Sequence, residues 1–190
     1  MELAQKLKAK FGEGLSDAAE FRGETTLKVL DSARIAEICA FAKKELGFDY
    51  LVDITSVDNY GEDPRFTVVY ELYGLGHHQH LRLKTDVSEE KSELPTVCNV
   101  WRTADWHERE MYDMMGLRFA GHPDLRRILM WEGYPYFPLR KDFPLCGKPT
   151  DLPEVAFTKA APLEGGPFVT IAGGKDGGAR EPRVRLPESS

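Results

Sequence analysis

Residues 48–84, FDYLVDITSVDNYGEDPRFTVVYELYGLGHHQHLRLK, decide the fold. Phe66, Val68, Tyr70 and Leu72 recur at every second position, the period of a strand with one buried face. Upstream, Phe48, Tyr50, Val52 and Ile54 read as one side of a strand over 48–57, and Gly61 and Pro64 mark a turn over 59–64. Downstream, Leu81 and Leu83 alternate with His80, Arg82 and Lys84, which predicts a half-exposed antiparallel strand. Before this stretch, Leu27 and Val29 open a short strand, and Asp31 is placed to cap a helix that Gly47 stops. Ile35, Ile38, Cys39, Ala42 and Leu46 fall on one face of that helix, where a thiol is filler. Strand, helix, three strands and a further helix predict an α+β fold: a mainly antiparallel sheet with helices packed on one face.

Outward from this core, composition divides the chain. Nine of the 12 prolines and eight of the 17 glycines follow Met130, and apolar periodicity stops near Phe143. The expected division is a helical segment over 1–23, exposed at the surface, an α+β domain over 24–145, and an extended C-terminal arm over 146–190. Apolar islands at Leu152, 155–157 and 168–171 favour an arm that lies on a partner, since a pure linker has no use for them. The net charge of −6 is a poor footprint for nucleic acid. No window approaches the roughly 20 apolar residues of a membrane span. Three scattered cysteines, Cys39, Cys98 and Cys146, argue against a disulfide framework.

The search for self-sufficient chemistry fails motif by motif. His78 and His80 could share a strand face, but no cysteine or carboxylate nearby completes a ligand set, and a polar edge strand is the better reading. There is no C-x-x-C pair for a cluster or a zinc ribbon. The run from His107 to Met111 starts like a zincin helix, yet methionine stands where the second histidine must be. Phosphate-cradling glycine loops and a G-x-S-x-G elbow are also missing. No catalytic, cofactor-binding or metal-binding residue is expected.

Residues 105–127, DWHEREMYDMMGLRFAGHPDLRR, are the densest in charge and turn signals. Asp105 can cap a helix, with Glu108 closing a capping box. Trp106, Arg109, Glu110 and Asp113 fall on one face, Met111, Met114 and Met115 on the other, and Gly116 is placed to end the helix. Arg109 and Asp113 form an i,i+4 pair on what would be a surface face. A tight turn follows at Gly121-His122-Pro123-Asp124. Arg126 and Arg127 come next, and both are expected to pair with acids, at least one of them at an intramolecular site such as Glu108, Glu110, Asp113 or Asp124.

Glu108-Arg109-Glu110, Asp113, Gly116, Phe119, the run Gly121-His122-Pro123-Asp124-Leu125-Arg126-Arg127-Ile128-Leu129, and Pro138-Leu139-Arg140-Lys141-Asp142-Phe143-Pro144 closely resemble one family signature. It is that of the 30 kDa subunit of respiratory complex I, in bacteria the C subunit of NADH-quinone oxidoreductase. The resemblance covers roughly residues 25–145. It departs at His107, where an aromatic is expected, and at the insertion-like stretch 133–137. An end at Ser190 fits the unfused form. The resemblance implies a scaffolding subunit of the hydrophilic arm, peripheral on the cytoplasmic face of the cell membrane. It implies binding to the 49 kDa-type (D) subunit and neighbouring iron–sulfur subunits. FMN, iron–sulfur clusters, NADH and quinone would lie on other chains. The equivalent subunit of a membrane-bound hydrogenase or a ferredoxin- or F420-linked complex is the alternative.

Overall fold

Alternation of apolar side chains puts one face of a sheet in the core, and a computed structural model describing residues 2–144 shows how that sheet is assembled. Its strands are β1 (Ala19–Phe21), β2 (Glu24–Val29), β3 (Tyr50–Asp58), β4 (Phe66–Gly74) and β5 (Gln79–Val87), in the order β1-β2-β5-β4-β3. Three of the four pairings are antiparallel, so the sheet is mainly so, but β2 runs parallel to β5. This corrects the reading of the histidine strand as an edge with antiparallel neighbours alone. β5 is central, paired on both sides, because the chain returns β2 beside it.

Phe66, Val68, Tyr70 and Leu72 are fully buried as their alternation requires. β3 departs from its expected facing. Its register shifts between Leu51 and Asp53, a bulge that turns Leu51 and Ile54 inward and leaves Tyr50 and Val52 exposed. One extra residue in the pairing reverses the face of everything before it.

Helices cover the apolar face. Asp31 accepts the N–H of Ala33 in a 3-10 turn, and α2 (Ile35–Leu46) follows, closed by Gly47 in the left-handed region. Its five predicted apolar residues are all buried. The first helix, α1 (Glu2–Phe11), is not the exposed segment its charge suggested. Ala4, Leu7 and Phe11 lie in the same core as the sheet, with Lys6, Lys8 and Lys10 among the side chains between them. A third helix, α3 (Ala104–Met115), adds Met111, Met114 and Met115 to that core. Flanking α3 in sequence, β6 (Glu93–Pro95) and β7 (Arg118–Ala120) pair in parallel as a small ribbon. The arm expected over 146–190 lies outside the described residues.

Candidate functional site

The expected capping box does not form. Thr103 precedes α3 without a side-chain cap, and Glu108 points into the protein instead, with no exposed surface. Its Oε1 accepts the Val97 N–H at 2.7 Å, and its Oε2 accepts the Thr96 hydroxyl at 2.5 Å and the Cys98 thiol at 3.4 Å. Burial raises the Glu108 carboxyl above its usual range despite these donors. It likewise pushes the Cys98 thiol up to about 12. The loop from Thr96 to Trp101 is thereby tied to the first turns of α3.

Arg109 and Asp113 do not pair with each other. Both are buried, and each holds the segment that follows the signature turn. Arg109 donates to the carbonyls of Arg126 and Arg127, both at 3.2 Å, and lies over the exposed Trp106 ring. Asp113 takes Arg127 Nη1 on Oδ1 at 2.5 Å. Its Oδ2 accepts three successive backbone N–H groups, from Ile128, Leu129 and Met130, at 3.0, 2.7 and 2.8 Å. Burial alone would raise this carboxyl, but the three N–H groups and the guanidinium together hold it below the usual carboxylate range. The same Arg127 also donates to the carbonyls of Asp113, Tyr134 and Tyr136.

A second clasp closes the segment. Arg65 and Asp58, both buried, form a two-pronged pair at 2.9 Å, and Arg65 also reaches Glu89 at 2.7 Å and Asp142 at 2.5 Å. Asp58 accepts the Lys141 N–H as well, and the paired guanidinium holds its carboxyl below the usual range. Arg140 donates to the Met115 carbonyl at 2.7 Å and stacks on the Phe137 ring. Gly116 makes that approach possible: its φ is +77°, and a Cβ there would lie 2.7 Å from Arg140 Nη2 and 2.8 Å from the Phe137 ring.

This polar frame has the residues of a recognisable group of proteins. Residues 29–149 match the family described as the respiratory-chain NADH dehydrogenase, 30 Kd subunit. The chain belongs to that family. It is 47% identical over 142 residues to the NADH-quinone oxidoreductase C subunit of Geotalea uraniireducens (strain Rf4), covering 75% of this chain and 86% of that one. The corresponding C subunit of Geobacter sulfurreducens is also 47% identical, over 143 residues, with 75% and 88% covered. Among solved structures, the trypsin-resistant fragment (1–134) of Nqo5 superposes with a TM-score of 0.58 at 33% identity, covering 66% of this chain and all of the fragment. An archaeal membrane-bound sulfane sulfur reductase complex shares the fold, with a TM-score of 0.65 at 22% identity over 75% of this chain and 84% of that one.

Within the family signature, the fold brings Glu108, Arg109, Asp113, Gly116, His122, Arg127, Arg140, Lys141 and Asp142 into these two clasps or their borders. Gly121, with a φ of +81°, and Pro123 shape the turn, and Leu125 packs on the core. His122 Nδ1 accepts the Asp124 N–H at 3.0 Å. Arg126 pairs with Asp124 at 2.9 Å on the surface, and Glu110 is half-buried outside both clasps. Both arginine pairings fall on acids expected to hold them. No periodic pattern marks Asp58, Arg65, Glu89 or Thr96: Asp58 and Arg65 meet across the 59–64 turn, and Glu89 and Thr96 meet their partners at longer range. His107, the departure from the signature, sits 3.0 Å from Asp53. Of the two histidines, His78 lies in the turn before the strand with a φ of +55° against the Tyr73 hydroxyl, and His80 packs on the Tyr73 ring.

Proposed function

We propose that this chain is the C subunit of a proton-translocating NADH-quinone oxidoreductase and acts there as a scaffold, with no active site of its own. The observation that carries this is where the signature spends its charges. Arg109, Asp113 and Arg127 are turned inward onto backbone groups of residues 113–136, which suits holding a surface segment in one shape rather than acting on a substrate. The relatives, named as C subunits of NADH-quinone oxidoreductase, support the enzyme to which it belongs. They do not favour the hydrogenase or F420-linked alternative. In this reading electrons pass from NADH through FMN and iron–sulfur clusters to quinone on neighbouring subunits.

The partner we propose is the 49 kDa-type subunit, with adjacent iron–sulfur subunits, on the cytoplasmic face of the membrane. Among the described residues no helix is long and apolar enough to cross a membrane, in keeping with peripheral attachment. The domain, with α1 in its core, would supply the rigid surface, and the arm expected over 146–190, rich in proline with apolar islands, would lie across the partner. That Nqo5 has a trypsin-resistant fragment (1–134) supports a stable domain followed by a separate element. The test is affinity purification of the chain from its native membrane, with mass spectrometry of what accompanies it. The expected companions are the 49 kDa-type, iron–sulfur and NADH-binding subunits. Hydrogenase or F420-binding subunits in their place would overturn the reading.

A further inference from the structure

Three side chains that the scaffold reading leaves without chemistry, Cys98, Glu108 and His122, meet between β6, α3 and the 121–124 turn, with Asp105 beside His122. Cys98 follows β6, Asp105 and Glu108 stand one turn apart at the start of α3, and His122 lies in the turn after β7. The donor atoms of Cys98, Glu108 and His122 all lie within 4.8 Å of one another. Cys98 Sγ is 3.4 Å from Glu108 Oε2, which is 3.9 Å from His122 Nε2, which in turn is 3.2 Å from Asp105 Oδ1. A tetrahedral zinc ion with bonds of about 2.0–2.3 Å has ligand-to-ligand edges of about 3.3–3.7 Å. The Cys98–Glu108 and Glu108–His122 spacings lie within a few tenths of an ångström of that range.

Two further observations point the same way. The His122 and Glu108 side chains have no exposed surface, and Asp105 Oδ1 is a buried acceptor that receives no hydrogen bond. The N–H on His122 Nε2 is directed at the Asp105 carbonyl at 3.3 Å, which leaves Oδ1 beside it without a donor. Glu108 is also oriented from behind by Thr96 and Val97, the kind of outer support that fixes a ligating carboxylate.

We propose that Cys98, Glu108 and His122 are three ligands of a binding site for one zinc-type divalent ion, with the Asp105 carboxylate beside His122. The mixture of sulfur, nitrogen and oxygen donors suits zinc and excludes magnesium or calcium, which take oxygen alone. Binding releases the Cys98 thiol proton to solvent. It also moves the His122 proton from Nε2 to Nδ1, so Nδ1 can no longer accept the Asp124 N–H and the 121–124 turn gives up that bond. Zinc occupancy therefore reports on the signature turn itself.

The experiment titrates the full chain with Zn2+ alone against a chelating indicator, with Co2+ as a spectroscopic substitute. We expect one ion per chain, a thiolate-to-cobalt charge-transfer band, and loss of the backbone amide protection of Asp124 on zinc addition. Cys98→Ser should lower zinc affinity at least tenfold and abolish the band, with circular dichroism showing the fold retained. Cys98→Ala provides the same reading if the serine variant fails to fold. Cys146→Ser and the double variant His78→Gln/His80→Gln should leave affinity and band unchanged. Absence of stoichiometric binding, binding unaffected at Cys98, or binding lost with His78 and His80 would each overturn the site.

Discussion

The sheet over β3–β5 and the segment from α3 to Asp142 are held by opposite means. In β4 and β5, Phe66, Val68, Tyr70, Leu72, Leu81 and Leu83 exclude water from one face, a non-directional force that tolerates changes of partner. The segment from α3 onward is held by named hydrogen bonds, each of which needs its own partner: from Asp113 and Arg127 within it, and from Asp58 at the end of β3 and Arg65 before β4. Apolar packing fixes the frame. Buried charge fixes the shape of the segment that leaves it.

The sharpest test of this contrast compares Tyr70→Ala with Asp113→Ala. Each should cost about 3–5 kcal/mol at neutral pH, the first by leaving a cavity and the second by stranding Arg127 and three backbone N–H groups. Their pH dependence should differ. Asp113 is held below its unfolded pKa of about 3.9, so its contribution is present above that pH and is lost as pH falls through the lower folded value. In urea titrations at neutral and strongly acidic pH, the Asp113→Ala deficit should shrink on acidification while the Tyr70→Ala deficit persists. Parallel behaviour would erase the distinction.

Gly116→Ala comes next, expected to cost about 1–3 kcal/mol from its positive φ and its crowding against Arg140 and Phe137. A thermal melt unchanged from wild type would show that the 137–140 strap is not seated where the structure has it. The smallest effect belongs to Arg126→Ala. Its pair with Asp124 is exposed at both ends, so truncation should cost less than about 1 kcal/mol, whereas Arg127→Ala should cost several times more. Equal losses by denaturant titration would contradict the division of labour between the adjacent arginines.

What could be read from the sequence follows the same contrast. Period-two alternation in β4 and the spacing of Ile35, Ile38 and Ala42 are one-dimensional signals, and both elements stand where they were expected. The Val52 bulge has no local mark, so the facing of Tyr50 and Val52 came out reversed. β6 and β7 are three residues each, too short to show a period. At the site, the signature named Glu108, Arg109, Asp113 and Arg127, and Arg127 meets Asp113 as expected, but helix spacings misassign the partners of Glu108 and Arg109. An i,i+4 spacing suggested Arg109 with Asp113, and a capping spacing suggested Asp105 with Glu108. Burial drew three of these side chains, Glu108, Arg109 and Asp113, inward to backbone groups and loops that no spacing rule specifies.

The buried charges Arg109, Asp113 and Arg127 are proposed to build shape and to take no part in turnover. Asp113→Asn, expressed in place of the wild-type chain in its host, tests this most directly, with assembled complex quantified on native gels and NADH–quinone turnover measured per assembled complex. The account predicts less assembled complex with turnover per complex unchanged. Normal assembly with turnover lost would contradict it.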